Sequence, residues 1–168
     1  MNPPPIDLFR IRLVLAVFMV GLVLSGVTAF PLLHELELLG RLIGLAPQSS
    51  PPTCCGLQLW IAKVRDALRV LHAQYPFLAY GTDWLAFAHI TIAVFFVPVF
   101  IDPLKNSANL WCGVAACIGV FPLALICGAI REIPLYWRLI DCSFGFFGII
   151  PLLYVINAIR PQNRRSGS

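Results

Sequence analysis

The chain has 168 residues, 59% of them hydrophobic and 12% charged, with a net charge of +4 and a mean hydropathy of +0.84. A soluble domain of this length is roughly half apolar and about a quarter charged, and so small a volume cannot hide this much apolar surface from water. Lipid is the solvent the composition implies. The positive charge gathers near predicted helix ends rather than in a Lys/Arg run with interleaved aromatics, so nucleic acid is not an expected partner.

The first apolar run, Leu13 to Leu33, has about the 20 residues a span needs, and Arg10 and Arg12 precede it. Val27-Thr28-Ala29 resembles a signal-peptide cleavage site, but unbroken apolarity over the full run favours a retained anchor. Gly21 and Ser25 form a small-xxx-small pair suited to close helix contact. Residues 34–82 are the longest polar excursion. His34 to Ala46 mixes charges with leucines and predicts a short interfacial helix. Pro47 to Thr53 reads as a linker. Leu57, Ile61, Val64, Leu68 and Leu71 then recur at helical spacing with Lys63, Asp66 and Arg69 opposite, which predicts an amphipathic helix over 57–72.

The second run is Trp84 to Ile101, with Gly81-Thr82-Asp83 as helix-start chemistry. Asp102 to Asn106 is a short turn. The third run is Leu110 to Ile130, and a tight segment from Arg131 to Arg138 leads to the fourth, Leu139 to Ile159. Tyr136 and Trp137 suit an interfacial aromatic belt. Pro98, Pro122 and Pro151 lie inside spans, which membrane helices tolerate, often as kinks. The expected fold is all-α: one integral membrane four-helix bundle, spans about 13–33, 84–101, 110–130 and 139–159, with the amphipathic helix in the first extracytoplasmic loop. Arg10, Arg12, Lys105, Arg160, Arg164 and Arg165 gather on one side with only Asp7 and Asp102. By the positive-inside rule both termini are expected in the cytoplasm.

Ionisable groups at the membrane edge are costly, so each is a candidate for function. On this topology they gather at the outer face: His34, Glu35 and Glu37 after span one, Asp83 and His89 in span two, Arg131 and Glu132 after span three, Arg138 and Asp141 in span four. His89 lies about 9 Å below Asp83 along a helix and shares a face with Ala86 and Ala93. Helical angles place Arg138, Asp141, Cys142, Gly145, Gly148 and Leu152 on one stripe, a polar head merging into glycines. Arg138 and Asp141, three apart, can pair. Two readings stand: a structural ion pair, or a polar pocket of His89, Arg131, Glu132, Arg138, Asp141 and Asp83. Cys127 and Cys142 fall at matching depth on consecutive spans and form a candidate thiol pair. Cys54-Cys55 is vicinal and is not a CxxC redox motif. His34, His72 and His89 lack zinc-motif spacing, and no second histidine lies within a span to share a haem with His89. No metal site is therefore expected.

Tyr80-Gly81-Thr82-Asp83-Trp84-Leu85-Ala86-Phe87-Ala88-His89, Asp102-Pro103, Pro122-Leu123-Ala124-Leu125-Ile126, Arg131 with Ile133-Pro134, and Trp137 to Gly145 resemble a family of small four-span bacterial inner-membrane proteins of unassigned activity. The likeness covers roughly residues 80–154 and implies a bacterial inner membrane; no functional residue is carried over from it. The four-span layout also resembles quinone-linked disulfide-forming enzymes, from which this chain departs by lacking their CxxC. The first expectation is a non-enzymatic module that binds a partner or a small ligand at the periplasmic face, the possible protein partners being another membrane protein or a second copy of the chain. A quinone- or metal-linked enzyme is the alternative, and an oligomeric proton-coupled carrier the third.

Overall fold

The structure, a computed structural model, describes residues 7–45 and 56–166, with side chains through residue 161. The Pro47–Thr53 linker and Cys54-Cys55 lie outside the described residues. Among those described there is no strand. The chain forms α1 (Leu8–Ala29), α2 (Leu32–Leu42), α3 (Leu57–Gln74), α4 (Pro76–Ile101), α5 (Ser107–Ile130) and α6 (Leu135–Ser166). The four expected spans are α1, α4, α5 and α6, each long and apolar enough to cross a membrane. Within their most apolar stretches only 17% to 28% of residues are buried in protein. Phe95, Phe144, Phe146 and Phe147 all point outward. Each such side chain would gain about 1.5–3 kcal/mol on leaving water, so the outward faces require lipid. The chain is a multi-pass all-α membrane protein.

Local chemistry sets the helix ends. Pro31 has no N–H and disfavours helical geometry at Phe30, so α1 stops at Ala29 and the last apolar residues of the run pass to α2. α2 closes with Gly44 at φ 74°, the Gly44 N–H bonded to Arg41 O (3.2 Å) and the Leu45 N–H to Gly40 O (2.8 Å). This is the Schellman closure that glycine favours. α4 begins at Pro76, ahead of Gly81-Thr82-Asp83, which therefore sit in its opening turns; Thr82 Oγ1 donates to Ala79 O at 2.6 Å and caps no N–H. Pro98 breaks the same helix at Phe96, and Asn109 Nδ2 of α5 donates to Phe95 O (3.4 Å) beside the break.

The chain divides into two units: Met1–Gly21 with Ile92–Ser168, and Leu22–Thr91. In the first, Ile11, Leu15, Phe96, Leu110, Leu152 and Ile159 belong to one buried cluster, with Phe18 edge-on to Phe96 at 5.0 Å between centroids. α5 and α6 form an antiparallel hairpin along a seam of small residues. A Cβ at Gly145 would stand 2.6 Å from Cys117 O, and one at Gly148 2.8 Å from Cys117 Sγ. The expected stripe of α6 is the face that packs: Cys142, Gly145 and Leu152 are buried, Arg138, Asp141 and Gly148 partly so.

In the second unit, a Cβ at Gly26 would meet Ala86 O at 2.8 Å. The close approach of α1 to α4 is therefore at Gly26. The Gly21–Ser25 pair is corrected on this point: Gly21 faces outward with nothing within 4 Å, and small size helps only on the face that meets a neighbour. α3 is amphipathic as expected and packs on α2, where Arg69 Nε meets Glu37 Oε1 at 3.0 Å. The surprise is Arg65, only 4% exposed. It lies against Gly40 with its Nε 3.0 Å from Asp66 Oδ1.

Candidate functional site

The site grows from an interruption of α5. Pro122 has no N–H to return to the preceding turn, and the five residues that follow, Leu123–Cys127, widen into a π-helical turn. Such bulges recur at functional sites because they push side chains and carbonyls out of the regular ladder. Ordinary helix resumes at Gly128–Ile130, then ends in a second Schellman closure: the Glu132 N–H bonds Ala129 O (3.1 Å) and the Ile133 N–H bonds Gly128 O (2.9 Å). Here the left-handed position is held by Glu132, at φ 56°. Pro134 accepts from the Trp137 and Arg138 N–H groups and starts α6.

Between the π-turn and α6 lies a cleft of about 250 Å³, lined by Leu123, Ala124 and Cys127 of the π-turn, by Arg131 at the helix end, and by Asp141 of α6. Arg131 is exposed and Asp141 half-buried. Neither side chain makes a hydrogen bond or ion pair with another described residue. A guanidinium and a carboxyl, both without a partner among the described residues, thus face one largely apolar hollow. Ionisable groups in a membrane segment normally find partners within the protein, so this arrangement leaves polar capacity for something else.

Arg138 takes a different place from the one its spacing suggests. It forms no ion pair with Asp141. Side chains on a helix lean toward its N-terminus, and Arg138 runs back across α5. Its stem covers Gly128, where a Cβ would stand 2.6 Å from Arg138 Cδ, and its Nη1 donates to Leu125 O at 3.3 Å. The guanidinium thereby clasps the π-turn, while its Nε is buried without a partner. Arg138 positions one wall of the cleft without lining it.

Of the remaining candidates, Glu132 forms the turn beside Arg131. His89 and Asp83 belong to the other unit. There His89 Nδ1 shares a 2.8 Å hydrogen bond with Leu85 O and its Cβ packs toward Gly26, while Asp83 sits half-buried in the opening of α4. Cys127 and Cys142 are both free thiols, the first exposed and the second buried; the sulfur that meets Gly148 of α6 is that of Cys117. Among the described residues no group of three or more His, Cys, Asp and Glu is arranged to hold a metal ion. The spacing arguments missed the π-turn and the role of Gly128. Pro122 was the available signal for the first, and the alignment of Gly128 with Arg138 across a short turn for the second.

No family model, curated protein or solved structure matches the chain.

Proposed function

We propose that this chain is a binding module that holds a small amphipathic molecule in the cleft between α5 and α6. The hydrocarbon part lies against Leu123 and Ala124, and the polar end sits between Arg131 and Asp141. The observation that carries this reading is a pair of ionisable side chains, without a partner among the described residues, facing one apolar hollow. A ligand that both accepts from a guanidinium and bonds a carboxyl, while covering apolar walls, answers every group present. The asymmetry of Lys and Arg supports cytoplasmic termini and an extracytoplasmic cleft, and the likeness of residues 80–154 to small four-span proteins supports a bacterial inner membrane.

Cys127 is a built-in reporter, since it is exposed on the cleft wall. Alkylation by N-ethylmaleimide, read site by site by mass spectrometry, should be slowed at Cys127 by a short-chain quinone or a ten-carbon fatty acid. It should be unaffected at the exposed Cys112. Asp141→Asn and Arg131→Gln should remove that protection. Absence of saturable protection by either probe would overturn the proposal. An enzyme acting at the same cleft is the second reading, favoured by the exposed thiol. Cys127→Ser, with probe binding read by the rise in thermal unfolding temperature in place of alkylation, decides between them: a binding module keeps probe affinity and the cellular phenotype, whereas an enzyme using the thiol keeps affinity and loses the phenotype.

A further inference from the structure

The opposite end of the α5–α6 hairpin carries a second hollow. It has about 350 Å³ and opens between the start of α5 and the end of α6, lined by Ser107, Trp111, Leu153, Ile156, Asn157 and Arg160. Its composition is graded. Leu153 and Trp111 present apolar surface on the span side, while Ser107, Asn157 and Arg160 cluster where the spans end. An apolar trough with hydroxyl, amide and guanidinium donors at its mouth has the shape and chemistry of a lipid with an anionic head.

The charged groups at this end set the sign of the occupant. Two acids lie near it, and both are already taken: Asp7 Oδ2 by Arg10 at 2.9 Å and Asp102 Oδ2 by Lys105 at 3.4 Å. Asp102 also accepts from the Lys105 N–H (3.2 Å), the main cause of a pKa below its ordinary value, so it stays ionised and committed to that turn. Arg12 donates to the backbone carbonyl of Ile101 at 3.1 Å, with no carboxylate. Arg160 is exposed and its side chain makes no hydrogen bond or ion pair with a described residue. Among the described residues the end therefore has guanidinium charge left over and no unengaged carboxylate to meet it.

We infer that the groove between the start of α5 and the end of α6 binds one anionic phospholipid, its phosphate on Arg160, Ser107 and Asn157 and an acyl chain along Trp111 and Leu153. The site is separate from the cleft at the other end of the hairpin and does not depend on what that cleft holds. It acts as a lipid-reading clamp across the two ends that the α5–α6 turn does not join.

Trp111 makes the occupant visible. A variant retaining only this tryptophan (Trp60, Trp84 and Trp137→Phe) is reconstituted in phosphatidylcholine vesicles, and brominated-chain phosphatidylglycerol or brominated phosphatidylcholine is titrated in. The site predicts quenching at about fivefold lower mole fraction for the anionic lipid, the ratio that one basic residue's attraction of ~1 kcal/mol gives. Arg160→Gln should abolish that preference. Lys105→Gln should leave it, because that charge is exposed and engaged with Asp102. Equal quenching by the two lipids overturns the site. So does a preference that survives Arg160→Gln or vanishes in Lys105→Gln, either of which reports diffuse surface charge. Native mass spectrometry of the wild-type protein with the same two lipids, unbrominated, repeats the comparison without altering any tryptophan. Retention of a single phosphatidylglycerol in preference to phosphatidylcholine is the expected result, and equal retention overturns the proposal there too.

Discussion

Glycines in this chain divide by what a single methyl group would strike. At Gly145 the obstacle is a backbone oxygen, Cys117 O at 2.6 Å; at Gly128 it is the flexible stem of Arg138; at Gly119 there is nothing within 4 Å. A backbone cannot step aside, so Gly145→Ala should cost about 1–3 kcal/mol through overpacking. Gly128→Ala should cost less in stability, because Arg138 can swing away, but it should loosen the clasp on Leu125 and alter alkylation of Cys127. Gly119→Ala should be neutral or gain up to about 1 kcal/mol from helix propensity. Thermal unfolding in detergent ranks the three; equal melting temperatures for Gly145→Ala and Gly119→Ala would show that the seam is looser than its distances imply. Periodicity alone predicted that Gly145 and Gly148 face inward. It did not predict which small residue of α1 touches a neighbour, because Gly21 and Gly26 differ only in the direction they face, and a neighbour's position is a tertiary fact.

At the scale of elements, the α2–α3 pair shows how charge can mislead a reading of helical faces. Arg65 stands four residues after Ile61, so the apolar spacing already placed it on the packed face; its charge argued for the outside. The structure resolves the conflict by burying the whole side chain, 4% exposed, with its Nη1 beside Gly40 and its Nε held by Asp66. Much of what Arg65 contributes is then packing of its stem. Arg65→Ala should lower stability by about 2 kcal/mol, whereas Asp66→Asn, at a half-exposed side chain, should cost less than about 1 kcal/mol. Thermal unfolding in detergent checks the order, and a neutral Arg65→Ala would remove packing as the explanation. The same limit applies to Arg138. Its stripe was readable from the sequence, but its partner was not, because the reach of a long side chain depends on what the next helix offers. The offer here is a carbonyl in a π-turn, and Pro122 announced a disturbance in α5 without saying that it would widen.

For the whole molecule, four apolar runs of span length were the most readable feature, since bilayer thickness is a constraint independent of partners. Four crossings force an alternation that does not depend on which side is the cytoplasm. Reporter fusions ending at Asn106 and at Arg160 should report one compartment, and fusions ending at Leu45 and at Pro134 the other. A Pro134 fusion that reads with Asn106 would remove one crossing from the count. The arginines near both termini carry the expected orientation through a different constraint, the bias of basic residues toward the cytoplasmic side. The cleft was legible only as residues that share an end of the molecule, since no sequence pattern brings Cys127, Arg131 and Asp141 to one wall.

The four-residue turn between α5 and α6 has a consequence for biogenesis. α5 emerges from the ribosome before α6 and exposes a seam of small residues that no lipid tail fits closely. Its complement follows after only a tight turn, already shaped by the Glu132 closure, so the two can enter the bilayer as one helical hairpin that carries its own packing partner. A chain stopped after α5 would lack that partner and leave the seam bare.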